Sequence, residues 1–310
     1  MARRLVIIGG DAAGMSAASQ ARRLTSPDAL EIVAFERSSR TSYAACGLPY
    51  LIGGMVKTPD RLVVRTPDQH RANGIDVRIH HEAIAIDCTV QTVTVRDLDT
   101  GQEAIEHYDE LLISTGASGI TPPWSGIDAE GVLQLRTLED AAEVDRRIVA
   151  GARRAVVVGA GYIGLEVAEG LLARGLDVTV VERLDAPMAA VLDADMAGGV
   201  ADAMRAAGIN LRLGTAVTGF TTAAGRVTAV ETAAGSLAAD LVVIGLGVRP
   251  NSELARAANI APAVRNLGYC RIAHDSQPLA SRTRRIPRQA QVVREGLAGR
   301  GCPLNKDRDP

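Results

Sequence analysis

The chain has 310 residues, of which 47% are hydrophobic and 23% charged, and its net charge is −2 at pH 7. That length accommodates two domains of ordinary size, the composition excludes a chain disordered throughout, and the charge balance favours no polyanionic partner such as nucleic acid. Aromatic residues make up only 3%, so a core must come from Ala, Val, Leu and Ile, which suits buried parallel strands and an α/β fold.

The N-terminal "MARRLVIIGG" holds an apolar run too short for a signal peptide or a membrane span, and the chain reads as cytoplasmic with no membrane partner. The stretch "RLVIIGGDAAGMSAASQARRL" is instead a strand, a Gly-rich turn and a helix. Gly9 and Gly14 take the first and third glycine positions of a dinucleotide-binding turn. Asp11 stands at the second, where the backbone approaches a pyrophosphate and a carboxylate is unfavourable. "ALEIVAFERSS" follows as a second strand ending at Glu36, an acid placed to accept hydrogen bonds from a ribose.

Next comes "TSYAACGLPYLIGG" over residues 41–54, with Cys46 at a helix start. A lone cysteine is by itself more often packing than chemistry, so its neighbours must decide. Residues 75–116 alternate as a β-meander that returns to a sheet and ends in "STGA" at 114–117. His80 and His81 point to opposite faces of this pattern with no third ligand nearby, so no metal role is expected. Cys88 reads as packing, and Trp124, after Pro122 and Pro123, as cover for a domain junction. The four cysteines, at 46, 88, 270 and 302, form no Cys-x-x-Cys pair, so neither a disulfide framework nor a zinc site is signalled.

A second copy of the turn is complete. "RRAVVVGAGYIGLEVAEGLLARGLDVTVVERLD" has Gly159, Gly161 and Gly164 in register, a strand before, a helix after, and Glu182 at the end of the next strand. Such glycines let backbone N–H groups and a helix N-terminus reach a pyrophosphate. Glu182 suits a ribose diol and would repel a 2′-phosphate, which favours NADH over NADPH, while Arg183 beside it tempers that preference. Residues 260–310 differ in kind, with ten Lys/Arg against four Asp/Glu and no apolar run long enough to close a sheet. Tyr269 is their single aromatic residue, so an arm that stacks on nucleic-acid bases is not expected.

Two dinucleotide folds, "SYAACGLPY" at 42–50, "STGA" between them and "IGLGVRPNSEL" at 244–254 together resemble the FAD-dependent pyridine nucleotide-disulfide oxidoreductases, from residue 1 to about 259. The element around Cys46 is similar to the single-cysteine branch, which holds coenzyme A-disulfide reductases, NADH oxidases and NADH peroxidases. The dithiol branch has a second cysteine where this chain has Leu51. Oxidases and peroxidases typically carry a histidine in the first Gly-rich turn, where Ala12 stands here, so the resemblance is closest to coenzyme A-disulfide reductase.

The resemblance implies two Rossmann-like three-layer domains, the NAD domain inserted in the FAD domain. The FAD domain would run over 1–120, the NAD(P)H domain with its connecting segment over 121–245, and the return to the FAD domain over 246–259. It further implies FAD against Gly9, Gly14, Glu36, Ala83, Thr115, Gly116 and Gly247, and NADH, with NADPH as the alternative, against Gly159, Gly161, Gly164 and Glu182. Gln20, Arg23 and Ser42 are the implied contacts for coenzyme A disulfide or a related small disulfide. Ala45 departs from the family's usual asparagine at that end of the substrate.

Cys46 is then the catalytic thiolate, favoured by a helix start and the flavin, and Tyr162 the ring that covers the flavin until nicotinamide displaces it. The implied cycle passes a hydride from NADH to FAD, reduces a Cys46–coenzyme A mixed disulfide and frees the thiolate for the next disulfide. Two alternatives stay open: an NADH oxidase or peroxidase that cycles Cys46 through sulfenic acid, and a nucleotide-binding fragment without activity. The family continues with a further strand, a Gly-Asp turn and a dimerisation domain, none readable in 260–310. This tail is expected to be disordered, the end of a truncated or frameshifted chain without the family's homodimer and with FAD held weakly.

Overall fold

The computed structural model describes residues 2–260 and the strand Arg271–His274. Strand β1 (Arg3–Ile8), helix α1 (Ala12–Leu24) and strand β2 (Leu30–Phe35) form the first unit, with the strands parallel and Leu5 opposite Ile32. Val6, Ile7, Val33 and Ala34 are fully buried, as the strands of a sheet covered on both faces must be. A long connection then carries helix α2 (Leu48–Ile52) and helix α3 (Pro67–Ala72).

The stretch expected to be one meander divides. Strand β3 (Asp76–Arg78) pairs parallel with β2, while β4 (His81–Asp87), β5 (Thr92–Asp97) and β6 (Glu103–His107) form a separate antiparallel sheet. Strand β7 (Glu110–Ile113) returns parallel to β1. The physical difference lies in burial: Leu111, Leu112 and Ile113 are all buried, whereas β6 shows most of its residues to solvent.

Strand β8 (Ala117–Gly119) leads out of this sheet. The second unit then runs through β9 (Val132–Gln134), α4 (Leu138–Val149), β10 (Arg154–Val158), α5 (Tyr162–Ala173), β11 (Asp177–Val181), α6 (Ala194–Ala206) and β12 (Asn210–Arg212). An antiparallel sheet of β13 (Val217–Ala223), β14 (Arg226–Thr232) and β15 (Gly235–Ala238) follows, and then β16 (Leu241–Ile244). The parallel sheet has the order β12-β11-β10-β16-β9. Strand β17 (Val248–Pro250) pairs antiparallel with β8, so the chain enters and leaves through one two-stranded ribbon. The short helix α7 (Glu253–Ala257) follows, and β18 (Arg271–His274) pairs antiparallel with β7.

The first sheet therefore has the order β18-β7-β1-β2-β3, and the whole second parallel sheet lies in sequence between two of its strands. This is the α/β insertion architecture that the family resemblance implies. Strand β18 falls inside 260–310, where no strand was expected. Four residues are too few for a readable period, and the open edge of β7 supplies unpaired backbone groups to whatever segment reaches it. The rest of the expectation for 260–310, disorder and a missing homodimer included, lies outside the described residues.

One packing relation positions the site. Leu48 and Ile52 of α2 are buried in a cluster with Val144 and Ile148 of α4 and Val167 and Leu171 of α5. The helix that follows Cys46 is therefore rooted in the core of the second unit, although the first unit delivers it. Gly170 permits the approach, since a Cβ there would stand 3.0 Å from Pro49 O and 3.3 Å from Gly53 N. Arg174 adds a clasp by donating to Ile52 O at 2.9 Å and to Asp145 at 2.8 Å.

Candidate active site

The first Gly-rich turn is built around close backbone approach. Gly9 has φ +103°, a conformation that L side chains rarely adopt, and a Cβ on Gly14 would overlap Gly9 O. Glu36 closes the turn: Oε2 accepts from Gly10 N at 2.7 Å and Oε1 from Ser38 N at 2.8 Å. His81 N donates to Glu36 O at 2.9 Å, which starts β4 beside this acid and sets Ala83 along the same edge, packed against the cluster of Val33 and Phe35.

Asp11, the residue out of place in the turn, has a structural task. Its Oδ1 accepts from Tyr43 N at 3.3 Å, and burial raises its pKa against the lowering effect of that bond, with Glu36 raising it further. Thr41, itself buried, donates through Oγ1 to Gly10 O. The loop that carries Cys46 is thus stitched to the nucleotide turn at two points. Burial, then the negative charges of Asp11 and Glu139, push the Tyr43 phenol up as well.

Along the loop, Val64 N donates to Ser42 O at 2.7 Å and Ala44 N to Leu62 O at 2.8 Å, around a Tyr43–Val63 bridge. Ser42 sits at φ +51° with Oγ 2.9 Å from His70 Nε2. Cys46 follows on a single 3-10 turn, Ala45–Gly47, with its side chain exposed. Helix α2 beyond it has five residues, so the aligned peptides behind the sulfur are few. Within the loop Cys46 has no second thiol, because Leu51 occupies the later position.

The second turn repeats the first without the acid. Gly159 has φ +105°, a Cβ on Gly164 would overlap Gly159 O, and a Cβ on Gly161 would meet nothing within 4 Å, which leaves an open backbone face where a pyrophosphate fits. Glu182 Oε2 accepts from Ala160 N at 2.7 Å and Oε1 from Leu184 N at 2.8 Å. Tyr162 opens α5 with 65% of its surface exposed, free of the core that its residue type would otherwise seek. Beside Gly159 a cavity of about 250 Å³ is lined by Arg183, Thr215, Val217 and Leu246. Trp124 also lines it and meets Phe220 edge-on at 5.9 Å, packed against the core of the second unit.

The remaining expected residues fall into two places. Thr115, Gly116 and Gly247 cluster where the ribbon of β8 and β17 meets the first sheet, with Gly116 at φ +67° and Gly247 at φ +94°. Thr115 Oγ1 donates to Asn251 O at 2.6 Å, and Asn251 Nδ2 returns a bond to Thr115 O at 2.9 Å. Asn251, not singled out in the sequence, is thus the lock of this junction. Gln20 and Arg23 form a pair on the exposed side of α1, with Arg23 Nε and Nη2 donating to Gln20 Oε1 at 3.1 and 2.8 Å, apart from the Cys46 loop in hydrogen-bonding terms.

Cys88 is exposed in the β4–β5 turn and is not core packing. Asp87 Oδ1 accepts from Thr89 N and Val90 N and thereby turns the chain outward, leaving Cys88 Sγ 3.8 Å from Ala258 O. His80 pairs with Asp99 at 3.0 Å and His81 stacks on Phe35. Among the described residues no cluster of His, Cys, Asp and Glu could hold a metal ion, and no helix is long and apolar enough to cross a membrane.

Residues 3–277 match the pyridine nucleotide-disulphide oxidoreductase family. An NADH oxidase of Methanocaldococcus jannaschii is 36% identical over 257 residues, which cover 82% of this chain and 56% of that protein. A coenzyme A disulfide reductase of Staphylococcus haemolyticus is 35% identical over 262 residues, covering 84% of this chain and 57% of that protein. The fold is also similar to that of a NAD-dependent persulfide reductase from A. fulgidus, at TM-score 0.79 and 38% identity over 83% of this chain and 48% of the other. The chain therefore spans about half the length of the relatives it matches.

Proposed function

The chain belongs to the pyridine nucleotide-disulphide oxidoreductase family, and from that premise we propose that it reduces a small disulfide, coenzyme A disulfide or a close analogue, with NADH as donor and Cys46 as the one redox sulfur. The observation that carries this reading is the setting of Cys46: an exposed thiol on a loop hydrogen-bonded to one nucleotide turn through Asp11 and Thr41, its following helix seated in the core behind the other. A thiol so placed reaches an external disulfide on one side and a redox cofactor on the other.

Both turns fit a nucleotide. Gly9, Gly14 and Glu36 with the Thr115–Gly116 and Gly247 junction would hold FAD, while Gly159, Gly161, Gly164 and Glu182 would hold the nicotinamide coenzyme. FAD, when bound, accepts a hydride from the nicotinamide and delivers two electrons to a sulfur. The chain's own residues do the rest. Cys46 as thiolate attacks one sulfur of the disulfide, forms a mixed disulfide and releases the first thiol. Two electrons and a proton then cleave that bond, release the second thiol and restore the Cys46 thiolate, so one NADH and one proton yield two thiols. Glu182 favours NADH through the ribose hydroxyls, and Gln20, Arg23 and Ser42 receive the substrate's polar part.

An NADH oxidase cycle is the second reading. The solvent exposure of Cys46 favours it, because a sulfenic acid forms where peroxide can enter. Ala12, where oxidases and peroxidases of the branch carry histidine, weighs against it. Cys46→Ser separates these readings from slow flavin leakage: disulfide reduction should vanish while residual NADH-to-oxygen flow persists, and Cys88→Ser should act like wild type. Equal losses in both variants would remove Cys46 from the mechanism.

A further inference from the structure

His70 has no part in the chemistry above, yet the fold goes to some length to place it. Thr66 and Gln69 form a reciprocal capping box that starts α3, with Gln69 N donating to Thr66 Oγ1 and Thr66 N to Gln69 Oε1. The helix so fixed turns His70 inward, where only 1% of its surface is exposed. Nδ1 is buried with no hydrogen-bond partner among the described residues, and Nε2 lies 2.9 Å from Ser42 Oγ. Ser42 is itself in the left-handed region, φ +51°, pinned by the bond from Val64 N to its carbonyl. Such a conformation costs a non-glycine residue energy and is kept where its surroundings hold it.

The direction of the bond follows from its neighbours. Burial first, and then the Arg65 charge, lower the His70 pKa, so the ring is neutral at pH 7 and carries one proton. A proton on Nδ1 would be a buried donor without an acceptor, the rarer defect. On Nε2 it leaves only an unused lone pair. Thr41 Oγ1 is 3.5 Å from Ser42 Oγ and has its own proton on Gly10 O, so it can only accept, and at long range. Ser42 Oγ is thus supplied with a donor by His70, while its own proton has no good acceptor among the described residues.

We propose that His70 is a positioning residue for the substrate: its Nε2–H donates to Ser42 Oγ and turns the Ser42 hydroxyl proton outward, as a donor to an oxygen of the disulfide substrate bound over the Cys46 loop. The proposal rests on the reading of Ser42 as a substrate contact. It adds a residue that touches the substrate only through another, set four positions into a helix that carries no other part of the site.

Two measurements on the full chain test it. Long-range ¹H–¹⁵N NMR of the imidazoles, with the His70 signal assigned by its loss in His70→Phe, should show the Nε2–H tautomer and a shift that moves in Ser42→Ala. The Nδ1–H tautomer overturns the proposal. Calorimetry with coenzyme A as the probe should show binding about five- to tenfold weaker in His70→Phe, the loss of one oriented hydrogen bond. His70→Gln, whose amide N reaches the place of Nε2, should recover most of it, and NADH affinity should be unchanged in both. Full-strength coenzyme A binding by His70→Phe makes His70 core filling and overturns the proposal. A wild-type chain that does not bind coenzyme A overturns the substrate half together with the reading it rests on, and the tautomer then shows separately whether the Ser42–His70 bond stands.

Discussion

Glu36 and Glu182 are the same device built twice. Each stands just past the strand that follows its Gly-rich turn and helix, and each accepts one bond from the Gly-rich turn, at Gly10 N or Ala160 N, and one from the backbone two residues ahead, at Ser38 N or Leu184 N. All four distances are 2.7 or 2.8 Å. The acid therefore fixes the mouth of the turn with the oxygens it would offer a ribose, and a bound ribose would exchange bonds within a shaped site.

On the proposed reading, Glu182 sets the choice of coenzyme. Glu182→Ala removes the carboxylate that a 2′-phosphate would meet, and Arg183 then stands alone at the cavity beside Gly159. The preference for NADH over NADPH should narrow by roughly 1–3 kcal/mol, about five- to 150-fold in the ratio of kcat/KM. Part of the loss falls on both coenzymes, since Ala160 N and Leu184 N lose their acceptor. Steady-state kinetics with each coenzyme checks it, and a wild-type preference for NADPH would mean that Arg183 outweighs the acid.

Asp11 should carry a pH dependence of the opposite sign to most carboxylates. Burial raises its folded-state pKa above the usual aspartate value, so between the unfolded and folded values the folded chain holds the extra proton. The stability this group contributes is fully present below the unfolded value, about pH 4, and is lost as pH rises through the folded one. Asp11→Asn keeps an acceptor for Tyr43 N and removes the charge. At pH 7 it should melt roughly 2–4 °C higher than wild type and hold FAD more tightly, with the melting difference shrinking toward pH 4. Thermal melts across that range and flavin retention on gel filtration read both effects.

The parts of the molecule that the sequence displays are those whose physics is local. Glycine spacing after an apolar run is a constraint within one turn, so Gly9, Gly14, Gly159, Gly161 and Gly164 were legible, as were the acids at the ends of the following strands. Cys46 could be singled out only through its resemblance to a known element, because nothing in its own neighbourhood distinguishes a reactive from a packed thiol. Relations between distant segments were hidden. The bond from Tyr43 N to Asp11 spans 32 residues, and the Asn251 lock on Thr115 spans 136. His70 lies in "TPDQHRANG", where polar neighbours give no sign of a buried face, and the exposure of Cys88 follows from an Asp87 turn inside an apparently regular alternation.

The contact that joins the two units near Cys46 gives the last expectation. Gly170 lies in the middle of α5, where alanine would ordinarily be the better helix former by about 0.5–1 kcal/mol. Here its Cβ would sit 3.0 Å from Pro49 O and 3.3 Å from Gly53 N, both backbone atoms that cannot swing aside, so α2 must shift away from α5. Gly170→Ala should destabilise the chain by about 1–3 kcal/mol through overpacking, against its gain in propensity. Gly198 is the control: it lies in α6, where an added methyl would meet nothing within 4 Å, and Gly198→Ala should raise stability by about 0.5–1 kcal/mol. Urea denaturation of the two variants should move the midpoint in opposite directions, and only Gly170→Ala should slow disulfide reduction, because α2 carries the Cys46 turn with it. A Gly170→Ala chain as stable and active as wild type would show that the α2–α5 contact does not hold the thiol in place.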